Sequence, residues 1–485
     1  MQFTIDAKFG GEYDVIVCGG GTAGTVAAIA AGRQGARVLL LERSFTVGGM
    51  VTEGNIGITK FTEHCKDVGQ YHREVLDVLA TNPRSVQVAG GIAHEICKSL
   101  IDEGGATGTN GDCGGYVFTE RYAVQNKMIS FLEGAGVTIL YDSRVCLVRK
   151  EGDTVKSVVV VNKEGFTEYA AKCVIDTTGD ADVAALADVE YVIGYSNFDK
   201  DEFDAPMGLM QPMGIMYRAE NIDYERLFDY LEAHPEGFEL QGIAQQELKD
   251  IRESYKKGDM CCFCVQIENP DPVTAKDRPI IQVQIYISPS QNGAVLQAWG
   301  RTHNEYLGDG LSVSSLTEGH NLMLKGALEI TDILRRTYPG FENTKVVHVP
   351  DIGVRETRHI VGKYRMTALD VMTGRDFEDS IGGGGHHIDA PKVPDEIRNA
   401  DMNHWRFHIP YSIMVPEKVK NLLVSGRCVC ATKLAHGALR VSVICMQLGE
   451  AAGVAAAMAA KAGISPSEID VNELRRILVE GGAIL

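Results

Sequence analysis

The sequence predicts an α/β protein: a nucleotide-binding domain carrying a β-meander, interrupted by an inserted α+β domain. Three observations carry that expectation. Residues 13–18 and 37–41 are apolar runs suited to buried parallel strands, and the alanine-rich residues 22–34 between them suit a closely packed helix, so a βαβ unit fills about 30 residues. Runs at 144–149, 155–161 and 166–175, separated by Glu-Gly-Asp and Lys-Glu-Gly turn signals, have the pattern of a meander. From residue 191 to 345 the texture changes to mixed strands and helices.

In chain order, the βαβ unit is followed by a glycine-rich stretch at 48–57 and a helical segment at 70–81. A helix over 120–134 then leads into a strand at 137–141, and the meander ends in Asp176-Thr177-Thr178-Gly179-Asp180. Residues 280–288 and 293–299 read as an antiparallel pair, and 318–338 as a long helix stopped by Pro339-Gly340. A strand is expected at 346–349. Four glycines at 382–385, before His386-His387, predict a loop. A strand at 421–425 and a helix at 441–460, with Gly449, Ala452 and Gly453 allowing close packing, complete the chain. The expected division gives 13–190, 346–360 and 415–465 to the nucleotide-binding domain, 191–345 to a substrate domain, and 361–414 to a substrate or lid segment.

A net charge of −18 argues against nucleic acid as a partner, since polyanions need a basic surface, yet a few buried arginines can still make a positive pocket. The N-terminal residues lack the pattern of a signal peptide. The longest apolar run, 451–460, is about half the length of a membrane span, so a cytoplasmic protein without a membrane partner is expected. Among twelve cysteines the one Cys-x-x-Cys spacing, Cys261 to Cys264, lies inside the cluster Cys261-Cys262-Phe263-Cys264, which has poor ligand spacing and no second pair to complete a metal site. Scattered free thiols suit a reducing compartment, and Cys18, Cys146, Cys173 and Cys445 lie in apolar runs where cysteine packs as a small hydrophobe.

The central motif is Gly19-Gly20-Gly21-Thr22-Ala23-Gly24, a G-x-G-x-x-G that follows a strand and opens a helix. Gly19 suits the tight turn, Gly21 the approach of backbone to a pyrophosphate, and Gly24 helix–strand packing. The pyrophosphate would rest on free N–H groups at the helix N-terminus. Glu42 ends the second strand, 18 residues beyond Gly24, placed to bind a ribose and to disfavour a 2′-phosphate. The motif does not choose between NAD and FAD.

Distant segments make that choice by resemblance. Gly19 to Gly24, Glu42, Gly48-Gly49, Thr178-Gly179-Asp180, Gly353-Val354-Arg355-Glu356-Thr357-Arg358, the stretch from Asn421 to Cys428, and 440–457 with its Leu448-Gly449-Glu450-Ala451-Ala452-Gly453 core occur in an order that resembles FAD-dependent oxidoreductases related to fumarate reductase and glutathione reductase flavoproteins. The resemblance spans residues 13–465. It implies FAD contacts from Gly19, Gly21, Thr22, Ala23, Gly24, Glu42, Arg43, Gly49, Met50, Val145, Thr178, Gly179, Asp180, Gly426, Arg427, Arg440 and Val441. Thr178 and Gly179 would turn past the adenosine end. Gly426-Arg427 stands where many relatives have Gly-Asp, so the ribityl contact of that aspartate does not carry over, and Arg427 is expected to meet a phosphate or carbonyl. The helix starting near Arg440 would aim its positive end at the flavin.

For the substrate side, Arg355 offers a planar fork for a carboxylate or flavin carbonyl, with Arg358 and Arg365 nearby. His386 and His387, on an expected flexible glycine loop, offer a general base. His408 and Tyr411 are further acid–base candidates. His404 and His408 are four apart, but without an accompanying Glu and with Pro410 closing the segment, no metal is expected. Cys65 beside His64 carries no assigned role. The expected activity is hydride transfer between flavin N5 and a small organic substrate, with an unidentified electron donor or acceptor. The rivals are an NAD-binding enzyme of the thiazole-synthase type and an electron-transfer or redox-sensing flavoprotein. No hydrolase or lyase motif is present, no covalent flavin-attachment motif is recognised, and size leaves a homo-oligomer open.

Overall fold

The computed structural model describes residues 6–59, 62–63, 86–108, 116–234, 238–239, 248–271, 274–290, 292–298, 306–390, 393–394, 397 and 406–485. The expected helix at 70–81, Cys65 with His64, and His404 lie outside these residues.

The glycine-turn unit forms as expected. Strand Lys8–Cys18 leads through the turn into helix Thr22–Arg33 and strand Val38–Leu41, which pairs parallel to the first strand. Strand Thr138–Leu140 extends this sheet beyond Val38–Leu41. Strand Gly165–Asp176 joins its other side, and its C-terminal end pairs parallel with Leu422–Val424. The N-terminal half of Gly165–Asp176 also pairs antiparallel with Thr154–Asn162, and that strand with Arg144–Glu151. One long strand thus serves both the parallel sheet and the meander.

The sheet's helical cover includes a pair packed without gaps. Helix Ser442–Ala462 crosses Thr22–Arg33 so closely that a Cβ on Gly449 or Gly453 would lie 2.2 Å from the carbonyl oxygen of Ala23 or Ala27. Ser442–Ala462 is long and apolar enough to cross a membrane, but 94% of its most apolar window is buried against protein, as for a core helix.

The inserted unit is a second core. Its six-stranded antiparallel sheet runs in the order Phe238–Glu239, Cys262–Glu268, Ile280–Ile287, Gly293–Ala298, Tyr217–Glu220, Lys345–His348. Helix Val313–Thr337 covers it through Met323, Ala327, Ile330 and Leu334. This helix starts five residues before the expected position because Ser312 Oγ accepts the Ser315 N–H, a cap that the apolar periodicity does not reveal. Strand Lys345–His348 pairs with Tyr217–Glu220, so the inserted sheet continues past the expected boundary at 345.

The tetraglycine loop is a correction. Ser380–Gly384 is a fully buried strand paired with Phe407–Pro410. A Cβ on Gly382 would stand 2.6 Å from Gln447 Oε1 on the core helix, and one on Gly384 2.6 Å from the Phe407 ring. These glycines serve close packing and carry no flexible lid. The described part of 361–414 accordingly joins the main core through Ile381, Phe407, Ile409 and Ile413.

Glu450 sits inside this packing, where one carboxylate oxygen accepts the Ile92 N–H at the start of helix Gly91–Asp102. Burial outweighs that hydrogen bond and raises its carboxyl to about 7. A carboxyl raised on folding binds protons more tightly in the native state. Its contribution to stability is therefore greatest below about 4.5 and declines as pH rises to about 7. Glu450→Gln should flatten that decline and gain about 1–3 kcal/mol near pH 8, checked by thermal melts across pH. Gly453→Ala should cost about 1–3 kcal/mol by overpacking the helix pair, read in the same melts.

Candidate functional site

The glycine turn has the geometry a dinucleotide requires. Gly19 has φ +103°, and a Cβ there would meet the Thr177 carbonyl oxygen at 2.7 Å. A Cβ on Gly24 would come 1.8 Å from the Gly19 oxygen. At Gly21 the surroundings are open: nothing lies within 4 Å of a Cβ added there. The first two glycines thus build the turn, and the third is bare toward a space that the protein leaves clear.

The second loop completes the cradle. The Gly48 N–H donates to Gly20 O (2.8 Å), Thr22 Oγ1 donates to Gly48 O (2.8 Å), and Gly49 packs on Gly21. Glu42 Oε2 accepts the Gly20 N–H at 2.6 Å, while Oε1 accepts the Ser44 N–H and hydroxyl. Its carboxylate is thereby fixed at the strand end, with Arg43 exposed beside it and Val145 half-buried in the neighbouring meander strand. Ala23 is buried in the helix interface.

A groove follows from there. Gly19, Gly21, Thr22, Gly49, Met50, Thr178, Gly179, Asp180, Arg427, Arg440 and Val441 are partly open although fully buried core residues flank them. Helices Thr22–Arg33 and Ser442–Ala462 both begin on it, and neither N-terminus has a side-chain cap. Uncapped N–H groups with their dipoles suit a pyrophosphate at one end and an electron-rich ring edge at the other. Thr178 is held by Asp176, whose burial raises its carboxyl to about 6.

Arg427 is held on one side by an acid of the same groove. Its Nη2 pairs with Asp180 Oδ1 at 2.7 Å, and that oxygen also accepts Thr357 Oγ1. Its Nη1 is buried without a hydrogen-bond partner, a donor suited to a group entering the groove. Gly426 lies against Ala23, at the base of the first helix. These residues fit FAD: open Gly21, two uncapped helices and the orphaned guanidinium nitrogen match its phosphates and ring.

Beyond the core helix N-terminus lies a second cluster, centred on Asp389. Its carboxylate pairs with Arg440. Burial alone would raise the carboxyl, but Arg440, His386, Arg355 and His387 together hold it well below the ordinary carboxylate range. Arg355 donates from Nη1 to Pro212 O at 2.7 Å, and burial, then the nearby Arg440 charge, lower its guanidinium. His386 Nδ1 lies 2.6 Å from the His387 carbonyl and the two rings stack at 4.4 Å. The backbone at Asp389 is pinned by Gln211 Nε2 and by contact with Gly437. Gly353 touches Met50, and Ser442 Oγ donates to Gly57 O, so the cluster adjoins the glycine-rich loop.

Among the described residues, His408 and Tyr411 are bonded to neither Asp389 nor its arginines. Tyr411 donates its buried hydroxyl to Pro466 O, just past the C-terminal end of the core helix, whereas Arg440 stands at its start. A 21-residue helix spans about 30 Å. His408 pairs with Asp376 at 3.0 Å and also feels Arg475, again near the C-terminal helix. Tyr411 is structural, and His408 is engaged by Asp376. The reading of the sequence missed Asp389, which no motif marks, and the buried residues Glu356, His359, Lys433 and His436 behind the arginines.

The open face of Gly21 yields a test. Gly21→Ala should melt like the parent without cofactor, yet bind FAD about tenfold or more weakly, as read by flavin fluorescence titration.

Similarity to known proteins agrees with this geometry. The family model described as FAD dependent oxidoreductase matches residues 14–478. Among solved structures, the chain is similar to a geranylgeranyl bacteriochlorophyll reductase-like protein from Thermoplasma acidophilum, at 13% identity over 97% of this chain and 84% of that one, TM-score 0.45. It is also similar to p-nitrophenol 4-monooxygenase from Pseudomonas putida DLL-E4, at 12% identity over 97% and 86%, TM-score 0.41. A myxobacterial chondrochloren halogenase matches at 13% identity over 96% and 78%, TM-score 0.39. The chain belongs to the FAD-dependent oxidoreductase family, and FAD is its cofactor.

Proposed function

We propose that the protein transfers a hydride between flavin N5 and a small organic substrate bearing a carboxylate or comparable oxyanion. The observation that carries this reading is the pair Arg355 and Arg440, two arginines sharing one nearby carboxylate, Asp389, at the end of the flavin groove. Two cations held together in a partly dry site favour an anion between them, and a guanidinium fork suits a carboxylate. The site thus supplies a local positive charge within a chain of net charge −18.

FAD, when bound, supplies the two-electron chemistry. The protein's own residues orient the substrate and handle its proton. Arg355, braced on Pro212 O, and Arg440, at the start of the core helix, grip the anionic group. His386, with its Nδ1–H donating to the His387 carbonyl, carries its lone pair on Nε2 and serves as the base in this reading. Gly19, Gly21, Thr22, Gly24, Glu42, Gly49, Thr178, Gly179 and Arg427 hold the dinucleotide part, with Val441 at the flavin end.

Anaerobic mixing of the FAD-loaded protein with panels of hydroxy acids, amino acids and neutral alcohols tests the reading through bleaching of the flavin's visible band. A carboxylate-bearing compound should reduce the flavin, and Arg355→Lys should lower kcat/KM for it by about ten- to a hundredfold, the loss of one charged hydrogen bond or slightly more. Reduction by neutral alcohols alone, unaffected by Arg355→Lys, would overturn the carboxylate assignment. Reduction only by a protein or quinone donor would favour an electron-transfer flavoprotein.

A further inference from the structure

Directly behind the arginine pair, the structure brings together three side chains from distant segments. Glu356 and His359 come from the segment that follows Arg355, and His436 from the short helix that ends before Arg440. Their ligand atoms lie within 4.8 Å of one another, and all three residues are essentially inaccessible to water. His436 has neither ring nitrogen hydrogen-bonded, and His359 Nδ1 is also unpaired. A neutral imidazole always carries one N–H donor and one acceptor, so a buried ring with neither satisfied calls for an occupant.

The carboxylate is prepared to receive one. Glu356 Oε2 accepts Lys433 Nζ and the Gln211 N–H, while Oε1 points toward His359 Nε2 at 3.2 Å. Outer hydrogen bonds of this kind orient metal-binding carboxylates, and the Oε1–Nε2 contact would open, with loss of the Nε2 proton, to admit an ion. The surrounding cations carry their own counterions: Arg427 has Asp180, Arg440 has Asp389, and Lys433 has Glu356 with Asp199 nearby. Burial keeps His436 neutral, the form that coordinates.

We infer that Glu356, His359 and His436 form a closed site for one borderline divalent transition-metal ion, of the zinc or ferrous class, with water as the remaining ligand. Two imidazoles and one carboxylate match the preferences of these ions. Bonds near 2.1 Å require ligand atoms about 3.4 Å apart, a spacing within reach of modest side-chain rotation. The ion would tie the return segment to the C-terminal segment and so set the separation of Arg355 and Arg440.

The test is metal analysis of the FAD-loaded full chain by mass spectrometry, before and after incubation with Zn²⁺ or Co²⁺ and gel filtration. The expected result is about one ion per chain, falling about tenfold or more in His436→Gln and in His359→Gln, with the flavin spectrum retained in at least one variant. Bound Co²⁺ should give the visible bands of a low-coordinate site in the parent alone. Chelation should lower the Tm of the parent and leave that of the variants unchanged. Absence of a retained ion in the parent after both incubations would overturn the inference, leaving a water molecule as the occupant. Equal metal content in the parent and both variants would overturn it as well.

Discussion

The close contact between helices Thr22–Arg33 and Ser442–Ala462 is the constraint on which the rest of the structure depends. Glycine on one helix faces backbone carbonyls on the other at Gly449–Ala23 and Gly453–Ala27, so the two backbones meet with no room for a side chain between them at those points. Dispersion is gained along the whole contact because small side chains leave no gap. The consequence for function is positional. One helix starts at Gly21 and the other at Val441, and their packing brings two uncapped N-termini to one groove from chain positions more than 400 residues apart. Aligned backbone dipoles of two helices thereby face the same groove, where an anionic group would be favoured.

Three of the buried or half-buried cations come with a carboxylate. Asp180 holds Arg427, Asp389 holds Arg440, and Glu356 holds Lys433, three pairs in the segments that converge on the groove. An unpaired buried charge costs several kcal/mol, roughly, and pairing together with hydrogen bonds offsets that cost. Arg355, beside them, is lowered by burial and then by the Arg440 charge, so an anion placed next to it would be favoured.

The inserted unit is joined to the nucleotide-binding domain by a polar network and not by apolar packing alone. Asn55, in the glycine-rich loop, donates to Met216 O and accepts from Arg218 Nε, while Arg218 also reaches Glu120 and the Thr119 carbonyl. His348 meets the same asparagine. The loop that packs on Gly21 is therefore tied to two strands of the second sheet. The glycine-rich loop and the inserted sheet consequently share one set of fixed contacts.

The glycine turn, the meander, the hairpin at Ile280–Ile287 and Gly293–Ala298, and the core helix were all legible in the sequence, because each rests on local periodicity or on a short motif that only one backbone geometry satisfies. Gly19, Gly24 and Glu42 could be assigned places for the same reason. The Ser380–Gly384 strand was misread: consecutive glycines signal a loop unless a neighbouring helix and strand need the room, and Gln447 and Phe407 are far away in the chain. His408 and Tyr411 looked like acid–base residues by type, but the pairing of His408 with Asp376 and the bond from Tyr411 to Pro466 O, past the far end of the core helix, are properties of the folded chain. Asp389, and the meeting of Glu356 and His359 with His436, carry no local pattern at all. The sequence by itself determined the elements and the nucleotide-binding turn, since hydrogen bonding and side-chain period act over a few residues. Only the tertiary structure decided which charges, carboxylates and imidazoles face one another, since that depends on how helices and sheets pack across hundreds of residues.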